Sequence, residues 1–200
     1  MQVHNDIEHL PFFKKAVITI GTFDGVHVGH RQVIDKMKAA AASIGGETVL
    51  ITFHPHPRKV ISSTILGIRL INTLDEKIEL LEKLEIDHLV IVPFTEAFAN
   101  QPAEEYIKDF LVDKFKPHTI IIGYDHRFGR DRMGDYHLLE KKAAEYNYQL
   151  KEIPKHILEN INQSLPTESI NTIFYVQSDT SFYGLSDDVK TLPFQVGPGK

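Results

Sequence analysis

The sequence predicts a parallel α/β sheet of five strands with helices on both faces. Short apolar runs rich in β-branched residues alternate with helical stretches as far as residue 154. Each run is apolar throughout rather than alternating, as suits a strand buried on both faces. The strict strand–helix order calls for crossover connections, and hence for parallel pairing. The first run, AVITIG (16–21), ends on Gly21. GHRQVIDKMKAAAASIG (29–45) is built of good helix formers and stops at a Gly-Gly pair. TVLITF (48–53) is β-branched again, and LDEKIELLEKLE (74–85) sets Ile78, Leu81 and Leu84 on one helical face. HLVIVPF (88–94) is the third strand, and PAEEYIKDFLVDKF (102–115) opens a helix with Pro and acids in its first turn. HTIIIG (118–123), YHLLEKKAAEYN (136–147) and YQLKEIP (148–154) supply a strand, a helix and a fifth strand.

Residues 1–154 therefore form one expected domain. Residues 155–200 have weak periodicity, a central Pro166, one strand-like run TIFYVQ (172–177) and a loop-like end. That segment is too short for a second domain of ordinary size.

Composition narrows the function classes. Of 200 residues, 42% are hydrophobic and 24% charged, so the chain has the makings of a buried core and not of a disordered polymer. A net charge of −5 argues against a broad nucleic-acid surface, although a local pocket on an acidic protein can still be positive. No apolar run reaches membrane-spanning length, and the polar opening MQVHNDIE does not read as a secretory signal. The absence of cysteine excludes a thiolate nucleophile and a Cys-ligated zinc site, and it fits a cytoplasmic location.

In parallel α/β sheets, ligands bind beyond the carboxyl ends of the strands, near the switch in strand order. The segments after Gly21, Phe53, Phe94 and Gly123 therefore matter most. The first strand runs into GTFDGVHVGH (21–30), and a helix follows. Gly21 and Gly25 permit tight turns, and Gly29 has no side chain to block a phosphate. His27 and His30, three apart at the helix start, can face the same side. The helix N-terminus adds amide donors and the positive end of its dipole, so the string reads as an anion site with two imidazole donors. A zinc site fits less well, because helical metal-binding His pairs usually sit four apart and no third ligand is near in sequence. No G-K-[ST] follows, so this is not a P-loop.

This string resembles the H-x-G-H signature of the nucleotidylyltransferase superfamily. With TFHPHPRKV (52–60), DHLVIVPF (87–94) and IGYDHRFGRDRMGD (122–135), it resembles the FMN adenylyltransferase module of bacterial bifunctional riboflavin kinase/FAD synthetase over about residues 12–154. The resemblance implies a Rossmann-like fold and the reaction FMN + ATP → FAD + pyrophosphate, with Mg²⁺ accompanying ATP and with ATP and FMN as the partners rather than nucleic acid or membrane. It implies His27 and His30 as catalytic residues, with Gly21, Thr22, Phe23, Asp24 and Gly29 at ATP. Asp125, Arg127 and Phe128 are expected at the flavin nucleotide, in a mobile loop that also carries Arg130 and Arg132. Phe53 either lines the isoalloxazine pocket or is an ordinary core aromatic, and Phe94 and Phe98 carry the same two readings. His54 and His56 read as exposed or structural. Phosphate binding should favour the protonated, two-donor form of both signature histidines.

The resemblance stops short of one element. Relatives carry a late I-S-S-T-x-I-R type string whose hydroxyls and Arg help hold the ATP phosphates. The nearest string here is INQSLPTESIN (161–171), and no Arg follows Arg132. A riboflavin kinase domain is likewise not expected within 155–200.

Overall fold

A computed structural model of the chain describes residues 1–61 and 69–153. The five expected strands form, within a residue or two of their expected bounds, as β2 (Val17–Ile20), β3 (Thr48–His54), β4 (His88–Pro93), β5 (Thr119–Gly123) and β6 (Gln149–Ile153). A sixth, β1 (Gln2–His4), corrects the expected count. It is a three-residue edge strand, Gln-Val-His, with no apolar run to reveal it. Parallel pairing to β4 and a contact between the His4 and His88 imidazoles (3.1 Å) hold it in place. All pairings are parallel, in the order β1-β4-β3-β2-β5-β6. The chain winds outward from β2 through β3 to β4, then restarts beside β2 with β5, so the switch in direction lies between β2 and β5. The strand-like run at 172–177 and the boundary after residue 154 lie outside the described residues.

Both sheet faces are buried, which is why the strands read as continuous apolar runs. Val17, Leu50, Leu89, Ile91 and Ile121 point into one layer with Ile34, Met37, Ala40 and Ala41 of α1 (Val28–Ile44). Leu81 joins that layer, from the third helix in chain order, α3 (Leu74–Glu82), which follows the short α2 (Pro57–Ile61). Ile18, Ile20, Val49, Ile51, Val90, Val92, Ile120 and Ile122 point into the opposite layer.

The short helices at 57–61 and 96–99 were not expected, and the second layer holds a departure in an expected one. After α4 (Glu96–Ala99), the segment expected as one helix is α5 (Ala103–Glu105), a wider π-helical stretch (Tyr106–Val112) and α6 (Asp113–Phe115). Its buried residues Tyr106, Ile107, Phe110, Leu111 and Phe115 recur every four to five positions, and a wider turn keeps such a series on one face. The last helix, α7 (Tyr136–Tyr146), packs Leu139 into the same layer.

Helix ends follow their sequence signals. Thr73 and Glu76 form a reciprocal capping box at α3, and α1 closes on Gly45 in the left-handed region (φ 62). The start of β3 is fixed by Asp87, whose carboxylate accepts from both the amide and the hydroxyl of Thr48 (2.8 Å each).

Leu50, wholly buried on β3, tests this packing. Leu50→Ala should lower unfolding free energy by about 2–5 kcal/mol in urea denaturation. A loss under about 1 kcal/mol would show that the α1–α3 layer does not close over the sheet.

Candidate active site

The segment after β2 is a compact turn with an unusual backbone. Gly21 continues the sheet by donating to the Ile51 carbonyl (3.0 Å). Phe23 (φ 49), Gly25 (φ 75) and Val26 (φ 39) then lie in the left-handed region. That region costs a non-glycine residue about 1–3 kcal/mol, so surrounding structure must impose it. The imposing force is burial, since Phe23 and Val26 are each 2% exposed in the α1–α3 layer. A Cβ on Gly21 would stand 3.1 Å from the Phe23 ring, a tight contact that the ring would have to relieve.

Polar contacts tie the same turn from outside. The Asp24 carboxylate accepts from the amides of Ile71 (3.0 Å) and Asn72 (3.2 Å). The Thr22 carbonyl accepts from the Lys77 ammonium (2.6 Å) and the Thr52 hydroxyl (3.0 Å). Arg31 Nε donates to the Val26 carbonyl (3.3 Å). Thus Phe23 serves as a core residue and Asp24 as a tether for the 71–72 backbone.

His27 caps α1, its Nδ1 accepting from the His30 amide (3.3 Å). Its Nδ1 therefore carries no proton in this arrangement, leaving Nε2 as the donor. The amides of Val28 and Gly29 begin the helix, where the dipole favours an anion. The two imidazoles stack with centroids 3.5 Å apart, as the spacing of three predicts. Burial first, and then the electrostatic cost of placing a further charge beside His27 and Lys77, push His30 down to about 3, so it is neutral at pH 7. Its Nδ1 is buried with no hydrogen-bond partner.

The loop after β5 flanks the other side of the switch point. Backbone bonds tie the expected cationic loop at several points. Phe128 and Gly134 form an antiparallel bridge with reciprocal backbone bonds (3.1 and 2.9 Å). The Phe128 ring occupies the space a Cβ on Gly134 would need. It is buried and stacks on Tyr106 (4.9 Å, 26°), so its side chain is part of the second layer. The Arg130 amide donates to the Gln101 carbonyl (2.7 Å). Arg127 pairs with Asp135 (2.8 Å), whose other oxygen caps α7 through the Leu138 amide (3.0 Å). The Arg127 guanidinium is half-exposed, so a phosphate can compete for it at small cost. Arg130 and Arg132 are exposed beside it, and Asp125 lies two residues beyond β5. His126 is pushed down to about 4 by burial and by the nearby Arg132 charge, and its Nε2 has no partner.

Phe53 and Phe94 are buried and contact each other and Phe98 (5.4–5.8 Å), and Phe98 reaches Tyr106 and Phe110. These aromatics belong to the core beneath the strand ends. His54 is exposed, and His56 is buried with Nδ1 accepting from the Arg58 amide (3.2 Å), in line with the structural reading of both.

One site residue escaped the sequence analysis. Lys77 has no role in the sequence reading, yet it is 6% exposed. The signal was present, because Lys77 stands four and seven positions before Leu81 and Leu84, on the apolar stripe itself.

A parallel six-stranded α/β sheet in this strand order agrees with a Rossmann-like nucleotidyltransferase fold. The sequence profile of the FAD synthetase family matches residues 10–165, and the chain belongs to that family. It is 34% identical over 145 residues to a bifunctional riboflavin kinase/FMN adenylyltransferase from Buchnera aphidicola, covering 72% of this chain and 46% of that protein. A putative bifunctional riboflavin kinase/FMN adenylyltransferase from Geobacillus thermodenitrificans is 34% identical over 70% of this chain and 75% of its own length. The Escherichia coli K12 bifunctional enzyme is 33% identical over 68% of this chain and 43% of its own. The chain thus spans about half the length of most of the curated relatives it matches. A crystal structure described as a macrolide-efflux protein from Streptococcus pneumoniae shares the fold, with a TM-score of 0.63 at 20% identity over 76% of this chain and 49% of that one. Among the described residues, no helix is long and apolar enough to cross a membrane.

The buried imidazoles set a pH dependence. Unfolded histidines take up protons below pH 6.5, whereas His30 and His126 resist until about 3 and about 4. The unfolded state binds more protons in that window, so stability falls as pH drops from 6.5 toward 4. His30→Asn, which removes one of these groups, should flatten that slope in denaturation curves taken across the range. An unchanged slope would mean that His30 is solvated.

Proposed function

We propose that this chain transfers the adenylyl group of ATP to FMN, giving FAD and pyrophosphate. The observation that carries the reading is the capped helix start at the switch point, where His27, His30 and the amides of Val28 and Gly29 converge. Membership of the FAD synthetase family supplies the substrate class.

An oxygen of the FMN phosphate attacks the α-phosphorus of ATP. The new P–O bond forms as the bond from the α-phosphorus to the bridging oxygen breaks, and pyrophosphate leaves. The attacking phosphate is already ionised at pH 7, so the site needs no strong base or protein nucleophile. Its work is to align two anions and to stabilise charge growing on the leaving group. His27 Nε2 and the helix-start amides are the donors for that charge. The charge of the incoming triphosphate opposes the desolvation that holds His30 neutral, so ligand binding raises its affinity for a proton. Among the described residues, no cluster of three or more His, Asp or Glu is placed for a metal. Mg²⁺ is assigned to the substrate, arriving on the triphosphate. Thr22, Asp24 and Gly29 shape the ATP side, and Phe23 holds that turn from the core. Asp125 and Arg127 are assigned to the flavin nucleotide, with Phe128 and Phe53 as the packed floor beneath it.

A second reading is a relative that binds nucleotide or flavin without efficient turnover. The lack of any Arg after Arg132 favours it, since a lysine point charge does not replace a bidentate guanidinium.

Incubation with FMN, ATP and Mg²⁺, followed by chromatography for FAD, separates the two readings. On the first, FAD accumulates, and His27→Ala and His30→Ala each reduce the rate about 10²–10³-fold while the variants stay folded. On the second, ATP and FMN still bind but FAD forms slowly or not at all. Variants that unfold, or that retain full rate, would remove the histidines from the mechanism.

A further inference from the structure

Lys77 is a buried cation that the adenylyl-transfer reading does not use. It sits on α3 and is 6% exposed, on the side of the sheet whose apolar layer includes Phe23, Val26, Ile34 and Leu81. A buried ammonium is costly unless its protons are taken up by acceptors. Here it donates to the Thr22 carbonyl at 2.6 Å, with the Thr52 hydroxyl at 3.5 Å. Thr22 opens the left-handed run of the turn, and that run delivers His27 to the helix cap. The charges facing this ammonium come from two elements. Burial lowers the pKa of Lys77 and Asp24 in the turn opposes that shift, its carboxylate also accepting from the Ile71 and Asn72 amides. His30 on α1 feels its positive charge, so the ammonium's field reaches the imidazole site without the ammonium reaching the surface.

We propose that Lys77 is the positioning residue of the anion site: its buried ammonium holds the Thr22 carbonyl, fixes the turn that presents the α1 N-terminus, and places a positive charge behind the bound triphosphate. It acts through the turn and through His30, and it does not touch substrate. This rests on the reading of the His27–His30 turn as the ATP site.

Two neutral variants test it. Lys77→Met fills the same space with no donor and no charge. Lys77→Gln keeps an N–H donor for the Thr22 carbonyl and removes only the charge. The Thr52 hydroxyl remains on that carbonyl in both, so both are expected to fold. ATP and FMN affinities are measured separately by calorimetry on the full chain. Lys77→Met should weaken ATP about tenfold, the order expected for one charge-assisted hydrogen bond. FMN affinity should stay within about twofold, since the two sites make separate contacts. Lys77→Gln should recover part of the ATP loss. Wild-type affinities for both ligands in either variant would overturn the proposal, and so would equal losses for ATP and FMN. Unfolding of both variants would assign Lys77 to the core and overturn it as well. A wild-type chain that does not bind ATP would instead defeat the underlying site reading, a result distinct from an unchanged Lys77 variant.

Discussion

The site depends on the burial of Phe23 and Val26. Nothing in a strand-to-helix connection requires two bulky residues at positive φ, and each such residue costs about 1–3 kcal/mol. Their side chains are nearly fully enclosed between α1 and α3. Burying a large apolar side chain contributes about 1.5–3 kcal/mol, which offsets strain of that size. The core thus holds the backbone in a course it would not adopt alone. That course brings the chain back up at His27, with the helix N-terminus open beside the switch in strand order. The polar tethers at Thr22, Asp24 and Val26 fix what the burial has set.

The electrostatics of the site follow from the same enclosure. His30 is neutral because it is buried, and its unpartnered Nδ1 leaves a polar atom unsatisfied in the ligand-free protein. Cations are arranged at different depths. Lys77 lies buried behind the turn, while Arg127, Arg130 and Arg132 lie at the surface after β5. A protein of net charge −5 can therefore present a local anion site, since the field of a few fixed charges near low-dielectric walls outweighs the distant acids.

Most of the sheet was legible because burial on both faces writes itself into the sequence as unbroken apolar runs. β1 was not, because three residues on an edge with a single apolar side chain, Val3, carry no periodicity and owe their conformation to β4. The π-helical stretch was read as an ordinary helix, since a 3.6-residue template tolerates the drift from Tyr106 to Phe115. In the site, the tight turn at Gly25 and the helix start at His27 have local causes in the sequence. The packing of Phe23, Asp24 and Phe128 does not, because it is decided by the α1–α3 layer, the Ile71 amide and the Tyr106 ring respectively. The burial of Lys77 likewise depends on the turn it meets at the Thr22 carbonyl.

The central claim is that the turn after β2, and not another strand end, receives the triphosphate of ATP. An amide NMR titration of the ¹⁵N-labelled chain with ATP and Mg²⁺ tests this most directly. The account predicts that the largest shifts fall on Thr22–Asp24 and on Val28–Arg31, with smaller ones after β5. Shifts confined to other strand ends, with the amides of Val28 and Gly29 unmoved at saturating ATP, would contradict it.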